Sequence, residues 1–459
     1  MTSEKNPTEA ESDGLPTPRR YAAMFAVLTA IVLVVLDNAI ANLALPTIAS
    51  ALQVSPGASV WVVTGYQLAI VMFLLPAAAA GESLGYRRVF MGGVMLFTAA
   101  SAACALSPSL PFLVTARLIQ GVGSAGVMAL GVGLLRFIYP KRLIGAAIGW
   151  NALAVAFSGA AGPSIGAAIL SVADWPWLFA VNIPIGIVVL ILARWLPHPR
   201  VAGRELDVAS IALNAGTFGA FFFGIDRMVA MPKLGIALLA GAVVGLVLLV
   251  RRELPMKTPL IPIDLLRDRF FRLSVTASVC CFIGQMAGFV ALPFYLQHEL
   301  GQSAFTTGLY MTAWPLTVAV AAPISGRLAD RYPASWICGV GGLGLAIGLA
   351  LAAFWPIHDN LLPLVPILIL SGLGFGLFQT PNNRSILLSA PRERSGAAGG
   401  MQGMARLSGQ TAGSALMMVL FGLTSVQAAP HVGLAIGAVL ALCAAGVSML
   451  RSGKASATP

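Results

Sequence analysis

Fourteen long apolar segments run through the chain, and they constrain the possible folds more than any other feature. A helix needs about 20 apolar residues to cross the hydrocarbon core of a bilayer. Backbone amides that face lipid must be paired within the segment, so such segments cross as helices. The sequence therefore predicts an all-α integral membrane protein with 14 transmembrane helices. The predicted spans are residues 22–46, 59–80, 89–106, 111–135, 143–170, 177–195, 206–225, 234–250, 273–297, 306–326, 335–355, 361–381, 396–422 and 432–450.

The composition supports this class and argues against soluble functions. Hydrophobic residues make up 58% of the 459 residues and charged residues only 10%, whereas soluble domains carry about 25% charged residues. The net charge of +11 is explained by membrane topology, so no nucleic-acid partner is predicted. The sequence contains no Walker motif and no nucleophile-and-base constellation, and its five cysteines and four histidines show no metal spacing. We therefore predict neither an enzyme nor a bound cofactor or metal.

The basic residues are distributed unevenly between alternate connections. Of the 28 lysines and arginines, only Arg227 and Lys233 lie in one set of connections, and Arg117 and Arg406 lie inside spans. All the others lie in the opposite set or at the termini. Because cytoplasmic loops carry the excess of Lys and Arg, both termini are predicted to be cytoplasmic, in a multi-pass protein of the inner (plasma) membrane. A monomer is expected.

An internal repeat divides the chain into halves. Residues 326–331 end the tenth span as residues 82–88 end the second. The sequence separation between these two segments is similar to that between the starts of the first and ninth spans. This pattern predicts two six-helix bundles related by a pseudo-two-fold axis along the membrane normal, with an inserted helix pair. The predicted boundaries are a disordered cytoplasmic N-terminus (1–20), the first bundle (21–200), the inserted pair (201–250), a cytoplasmic linker (251–272), the second bundle (273–450) and a cytoplasmic tail (451–459).

An acid lies deep in the first span. Asp37 is roughly 22 Å along a helix that starts near Ala22, which places it inside hydrocarbon about 30 Å thick. A carboxylate at that depth is costly and usually functional. The alternative is a structural Asp that a neighbouring donor satisfies.

Four motifs, in order along the spans, resemble those of a known family. They are residues 36–46 in the first span, 117–123 in the fourth, 159–166 in the fifth and 175–186 at the entry of the sixth. Together they are similar to the motifs of the major facilitator superfamily, in particular its fourteen-helix drug:proton antiporter family. The resemblance covers nearly the whole chain and implies small-molecule substrates, with protons as the coupling ion.

Asp37 and Arg117 are the predicted proton-coupling pair. Helical rise places both roughly 9–13 Å below the outer surface, so the two side chains could meet. A nearby guanidinium favours the ionised carboxylate and desolvation opposes it, so a site balanced between the two effects can load and release a proton. The alternative is a static ion pair that holds two helices together.

Gly159, Gly162, Pro163 and Gly166 form the predicted antiporter motif. Small residues at spacings of three and four let helices approach closely, and Pro163 bends the helix. The resemblance adds that this kink seals the outward leak path, although Ala167 stands where the family often has a second glycine. Close packing alone is the alternative.

The cytoplasmic gate is predicted at the two repeated segments. The second copy keeps the family pattern, whereas in the first copy an alanine, Glu82 and a serine replace its Gly, Asp and Arg. The acid is expected to pair, across the cytoplasmic seam, with an arginine or a helix N-terminus and to stabilise the outward-open form. Ordinary loop charges are the alternative. The gate residues are Glu82, Gly85, Arg87, Arg88, Gly326, Asp330 and Arg331.

Several polar and aromatic residues in or near the spans are candidates for a substrate cavity. Hydrogen bonding between helices would explain most of them equally well. The candidates are Asn38, Gln67, Gln120, Gln285, Tyr310, Trp314 and Arg406.

The predicted function is proton-coupled efflux of amphipathic drugs or toxic organic compounds by alternating access. A dedicated proton-coupled exporter of a single metabolite is the first alternative. A receptor or assembly scaffold that transports nothing is the second, and the intramembrane charges and the Gly-Pro motif argue against it.

Overall fold

The computed structural model describes residues 14–140, 143–198, 207–256, 262–355, 361–390 and 394–451, and within them the protein is built from helices without a strand. A 3₁₀ turn, Ile263–Arg267, precedes α11, and a π-helical turn, Tyr295–Glu299, follows it. The α-helices of the described residues are α1 (Thr17–Ala51), α2 (Pro56–Ser59), α3 (Trp61–Leu84), α4 (Tyr86–Ala105), α5 (Leu110–Ile138), α6 (Ile144–Val172), α7 (Trp177–Ala180), α8 (Asn182–Ala193), α9 (Val208–Ala230), α10 (Pro232–Glu253), α11 (Arg269–Phe294), α12 (Ala304–Leu328), α13 (Ala334–Phe354), α14 (Leu364–Leu388), α15 (Ser395–Leu423) and α16 (Ala428–Met449).

Each predicted span falls on one long helix or on a broken pair. The second span consists of α2 and α3, and the sixth of α7 and α8. Among the described residues, twelve spans are long and apolar enough to cross a membrane. The two predicted spans outside that set are Trp177–Ala193, which is short, and α15, which carries Gln402, Arg406 and Gln410. The protein is thus an all-helical membrane protein in which twelve of the 14 predicted spans meet this criterion.

The predicted disordered N-terminus is wrong for its last residues, because α1 already begins at Thr17. The backbone N–H of Leu15 donates to the carbonyl of Ile138 at 3.0 Å, and Arg20 Nε donates to the carbonyl of Leu15 at 2.9 Å. These bonds fix the chain against the end of α5, so the helix starts in the polar segment. Residues 1–13 lie outside the described part of the chain.

The predicted tail and linker also differ from the structure at their edges. Arg451, placed in the tail, is 3% exposed and donates to Ser274 Oγ at 2.8 Å and to Asn382 Oδ1 at 2.9 Å. Its long side chain reaches back into the second half, which the apolar pattern could not indicate. In the predicted linker, α10 continues to Glu253 and α11 already begins at Arg269. Residues 201–206, 257–261 and 452–459 lie outside the described residues.

The helices pack in two groups with the inserted pair beside them. In the first half α1 packs on α6 and α8, and α5 packs on α3 and α4. In the second half α13 packs on α14 and α16, and α11 packs on α15 and α16. The inserted helices α9 and α10 pack on each other, and α9 also contacts α3 and α15. Asn214 on α9 donates to the carbonyl of Met72 at 2.8 Å, so the inserted pair borders the seam between the halves.

Two helix pairs form the seam between the halves. α6 packs on α12, and α3 packs on α15. A Cβ atom added to Gly308 on α12 would lie 2.5 Å from both Ala167 Cβ and the carbonyl oxygen of Pro163. On the other side, an added Cβ at Gly403 would lie 3.4 Å from Leu74. Glycine is therefore required at Gly308 for the two halves to approach this closely.

The apolar core is continuous between the halves at only one end of the bundle. There one cluster includes Leu45 of α1, Phe294 of α11 and Met418 of α15. Toward the opposite end each half has a core of its own: the first-half cluster takes in one buried second-half residue, Leu407, and the smaller cluster around Phe271 belongs to the second half. The joined end lies where α1 terminates, which the charge pattern predicts to be the outer side.

Candidate functional site

Asp37 lies at the centre of a fully enclosed polar cluster inside the first half. Its side chain is 1% exposed and that of Arg117 is 0% exposed. Arg117 Nη1 donates to Asp37 Oδ2. Gln120 Nε2 donates to Oδ1 at 3.1 Å and Asn182 Nδ2 at 2.7 Å. The carboxylate therefore accepts hydrogen bonds from side chains of both α5 and α8.

Arg117 is held in place by more than its carboxylate. Its Nε donates to the carbonyl of Val62 at 2.9 Å, and Nη1 also donates to Gln120 Oε1 at 2.6 Å. The guanidinium carbon lies 4.1 Å from the centroid of the Tyr66 ring and 5.4 Å from that of Phe179, within the range of cation–π attraction. Nη2 has no hydrogen-bond partner, so the cluster leaves one donor unused.

Local structure explains how the cluster is assembled. Arg117 and Gln120 are three residues apart on α5, so they occupy one face. The sixth span is interrupted between α7 and α8, and α8 starts at Asn182. This interruption brings the Asn182 amide against α1. Tyr66 donates to the carbonyl of Val34 at 3.2 Å and accepts from Ser124 Oγ at 2.8 Å. These contacts fix the ring that covers Arg117.

The antiporter-motif residues lie on α6 where it faces α1 and α12. A Cβ on Gly162 would collide with Ala39 Cβ, and one on Gly166 would lie 3.3 Å from Ile40 and Leu43. An added Cβ at Gly159 would meet nothing within 4 Å. Pro163 lies inside the helix, and its carbonyl faces Gly308 as described above. The motif thus brings α1, α6 and α12 together next to the acid.

The gate residues of the first half lie at the junction of α3 and α4. Gly85 has φ +104°, a left-handed conformation that glycine adopts without strain. Glu82 and Arg88 lie on either side of it, and Arg87 Nη1 lies 3.0 Å from Nδ1 of His198. Partial desolvation, and next the charge of Arg87, lower the pKa of His198.

In the second half the gate acid pairs with an arginine of its own half, whereas the pairing was predicted across the seam between the halves. Arg384 at the end of α14 donates to Asp330. Both side chains are about half exposed, at 48% and 63%, so the pair contributes little to stability. Gly326 lies in the last turn of α12, and Arg331 is exposed just beyond it.

The candidate cavity residues divide into two groups. Gln120 belongs to the Asp37 cluster rather than to an open surface, because it is 0% exposed and holds both charges. Gln67 is also enclosed: it donates to Asn38 Oδ1 at 3.5 Å and accepts from Ser414 Oγ at 3.1 Å, so it bridges the halves.

The second group lies in the second half. Gln285, Tyr310 and Arg406 are partly exposed, whereas Trp314 is 1% exposed and packs on Gly288. Gln285 Oε1, Trp314 Nε1 and Arg406 Nε are buried atoms without a hydrogen-bond partner.

Asn182 is the site residue that sequence reasoning did not single out. It occurs in the segment that resembles the entry of the sixth helix, so the signal was present. Its role depends on which helix α8 crosses, and hydrophobic periodicity does not specify that.

The matched family model fits these observations. The chain belongs to the Major Facilitator Superfamily, whose family model matches residues 27–251 and 274–458. It is a membrane transporter of small molecules and not an enzyme. A solved bacterial homologue of the human lysosomal transporter Spinster shares the fold, with a TM-score of 0.69, 15% identity and coverage of 95% of this chain and 98% of that one.

Curated relatives include transporters with different cargo. An uncharacterised transporter, YebQ of Escherichia coli, is 44% identical over 96% of this chain and 98% of its own length. The riboflavin transporter RibZ of Clostridioides difficile is 31% identical over 83% of this chain and 84% of its own. The multidrug resistance protein Stp of Mycobacterium tuberculosis is 31% identical over 88% of this chain and 76% of its own.

Proposed function

We propose that the protein is a proton-coupled efflux transporter that exports amphipathic drugs or toxic organic compounds by alternating access. The observation that carries the proposal is the enclosed Asp37–Arg117 pair, since an intramembrane charge is costly and is retained where it has a function. Asp37 is 1% exposed, so a proton reaches it only after the surrounding helices move. Proton uptake is thereby linked to a change of conformation.

The proposed architecture has 14 transmembrane helices, with two six-helix bundles related by a pseudo-two-fold axis and α9–α10 inserted between them. Both termini lie in the cytoplasm and the protein works as a monomer in the inner membrane. The core that joins the halves at one end, while each half has a core of its own toward the other, supports this scheme. One end must open while the other stays closed during alternating access.

The test is transport into proteoliposomes under an imposed pH gradient, with a panel of amphipathic compounds. Asp37→Asn should abolish gradient-driven accumulation, while exchange of substrate at equal pH on both sides should continue. Asp226→Asn is the matched control, because Asp226 lies on α9 outside the cluster and its Oδ1 accepts a hydrogen bond from Trp61 at 2.9 Å. Gradient-driven transport by Asp37→Asn at the wild-type rate would refute Asp37 as the coupling acid.

A dedicated exporter of one metabolite is the second candidate. Similarity to the riboflavin transporter over most of the chain favours it. The same panel separates the two candidates, because a dedicated exporter would accumulate one compound and its near analogues only.

A further inference from the structure

Arg406 is a cation in the middle of α15 for which the described residues provide no anion. It lies 11 residues from the start of the helix and 17 from its end, hence roughly 16 Å and 25 Å along the axis. The ion pairs among the described residues use other arginines and a histidine. Its Nε is buried without a hydrogen-bond acceptor. A guanidinium in this position is costly unless something compensates it.

The contrast with the other buried arginines is informative. Arg117 has Asp37 as a dedicated counter-ion, and Arg451 donates to Ser274 and Asn382. Arg406 has no such partner in the described part of the chain, yet its side chain is partly exposed rather than closed off. Part of the side chain is therefore open for a further contact.

Helix geometry places Arg406 at the seam between the halves. Gly403 and Leu407 lie on the side of α15 that faces α3. Gly409 lies on the side that faces α11, with an added Cβ 2.7 Å from Phe282 Cβ. At 3.6 residues per turn, position 406 falls between these two sides. Its guanidinium thus points into the wedge between a first-half helix and a second-half helix.

Arg406 lies at a level of α15 where the two halves are in contact. Two turns further along α15, Ser414 donates to Gln67 of the first half at 3.1 Å. One and a half turns in the other direction, Met401 belongs to the core of the second half alone. Before Arg406 on the same helix, added Cβ atoms at Gly400 and Gly403 would lie 3.2 Å and 3.4 Å from leucines of α3, so Arg406 lies within the closed part of the seam.

We propose that Arg406 binds the anionic group of the transported compound, so that substrates carry a carboxylate or a comparable anion on an apolar body. The planar guanidinium pairs with a carboxylate in bidentate fashion. Gln285 Oε1 on α11, the helix that packs on α15, has no hydrogen-bond partner among the described residues and is available for a polar group of that body. This inference rests on the proposed function, since it names the substrate class of the same transporter.

Dansyl derivatives of leucine, phenylalanine and tryptophan, each as free acid and as amide, separate charge from shape. Binding to detergent-solubilised protein is measured from dansyl fluorescence, and transport is measured in proteoliposomes. The wild type should bind each acid at least tenfold more tightly than its amide. Arg406→Met should lose that preference, Arg406→Lys should keep part of it, and Gln402→Met on the same helix should keep all of it.

The outcomes distinguish the two proposals. Equal or weaker binding of the acids by the wild type, including no binding of either series, would overturn the role of Arg406. The same holds if Arg406→Met weakens acids and amides to the same extent. Binding that follows the expected pattern without transport driven by a pH gradient would support the anion site and refute the proposed proton coupling.

Discussion

Asn182 donates its side-chain amide to Oδ1 of Asp37 at 2.7 Å and thereby ties α8 to α1 across the acid cluster. The bond adds a neutral donor opposite the guanidinium of Arg117, so both carboxylate oxygens are occupied in this conformation. Oδ1 also accepts from Gln120 Nε2 at 3.1 Å, so three side chains from two helices hold this carboxylate in place.

The amide of Asn182 should matter to coupling as well as to stability. Asn182→Ala is expected to cost about 1–3 kcal/mol of stability, because it removes a hydrogen bond to a buried charged group. It should also lower the number of protons moved per substrate, measured with a pH-sensitive dye in proteoliposomes. Asn214→Ala is the control, since this buried amide donates to a neutral carbonyl. A lower number of protons moved per substrate in both variants would contradict a specific role for Asn182.

Neutralising both members of the buried pair should restore stability but not gradient-driven transport. Asp37→Asn alone leaves an uncompensated guanidinium, which costs about 3–5 kcal/mol. The double change Asp37→Asn with Arg117→Met removes that cost and should recover most of the thermal stability of the wild type. Unfolding in detergent measures stability, and gradient-driven transport should remain absent. A fully active double variant would show that the pair is purely structural.

The glycines of α6 and α12 should differ in their tolerance of a methyl group. Gly308→Ala and Gly162→Ala place a Cβ against α6 and α1 respectively, and transport is expected to fall at least tenfold at normal expression. Gly159→Ala meets nothing within 4 Å and should transport at nearly the wild-type rate. A severe defect at Gly159 would mean that its motif role depends on a different conformation.

The orientation in the membrane can be checked by labelling. In a variant whose five cysteines are replaced, Ser109→Cys is expected to react with an impermeant maleimide in intact cells. Arg267→Cys should react only after the cells are lysed. Both positions are exposed, and the basic connections are predicted to be cytoplasmic. Labelling of Arg267→Cys in intact cells would reverse the assigned topology.

The ion pair between Asp207 of the inserted helix α9 and Arg252 of α10 should depend on pH. Asp207 caps α9 and accepts from Arg252 Nε at 3.0 Å and Nη2 at 2.9 Å, and these hydrogen bonds are the main cause of its lowered pKa. Because the pKa of Asp207 is lowered in the folded protein, its ionised carboxylate stabilises α9 at pH values above the pKa of the unfolded chain, about 3.9. This stabilisation shrinks as the pH falls below that value. Asp207→Asn should therefore speed hydrogen exchange at the start of α9 at pH 7, with a smaller difference below about pH 3.9.

Hydropathy and charge alone predicted the helices and the meeting of Asp37 with Arg117. Depth along two helices was sufficient for that pair because both lie near the same end of their spans. Other contacts depend on how the helices cross and rotate. They are the hydrogen bonds of Asn182 and Gln120 to Asp37 and the burial of Arg451 in the second half. A single sequence carries little information about those angles, since apolar residues cover nearly every face of a membrane helix.

Around Gly308, α6 meets α12 through Ala167, the carbonyl of Pro163 and the hydroxyls of Ser164 and Thr312, which lie 2.7 Å apart. These groups are small, so we expect α6 and α12 to shift along each other here with little rearrangement of side chains. We expect this contact to offer little resistance when the two halves rock against each other. The resistance should come from the contacts at the two ends of the seam. The speed of the transport cycle should accordingly depend on breaking and re-forming the bonds of the joined end, such as that from Gln297 Nε2 to the carbonyl of Leu43.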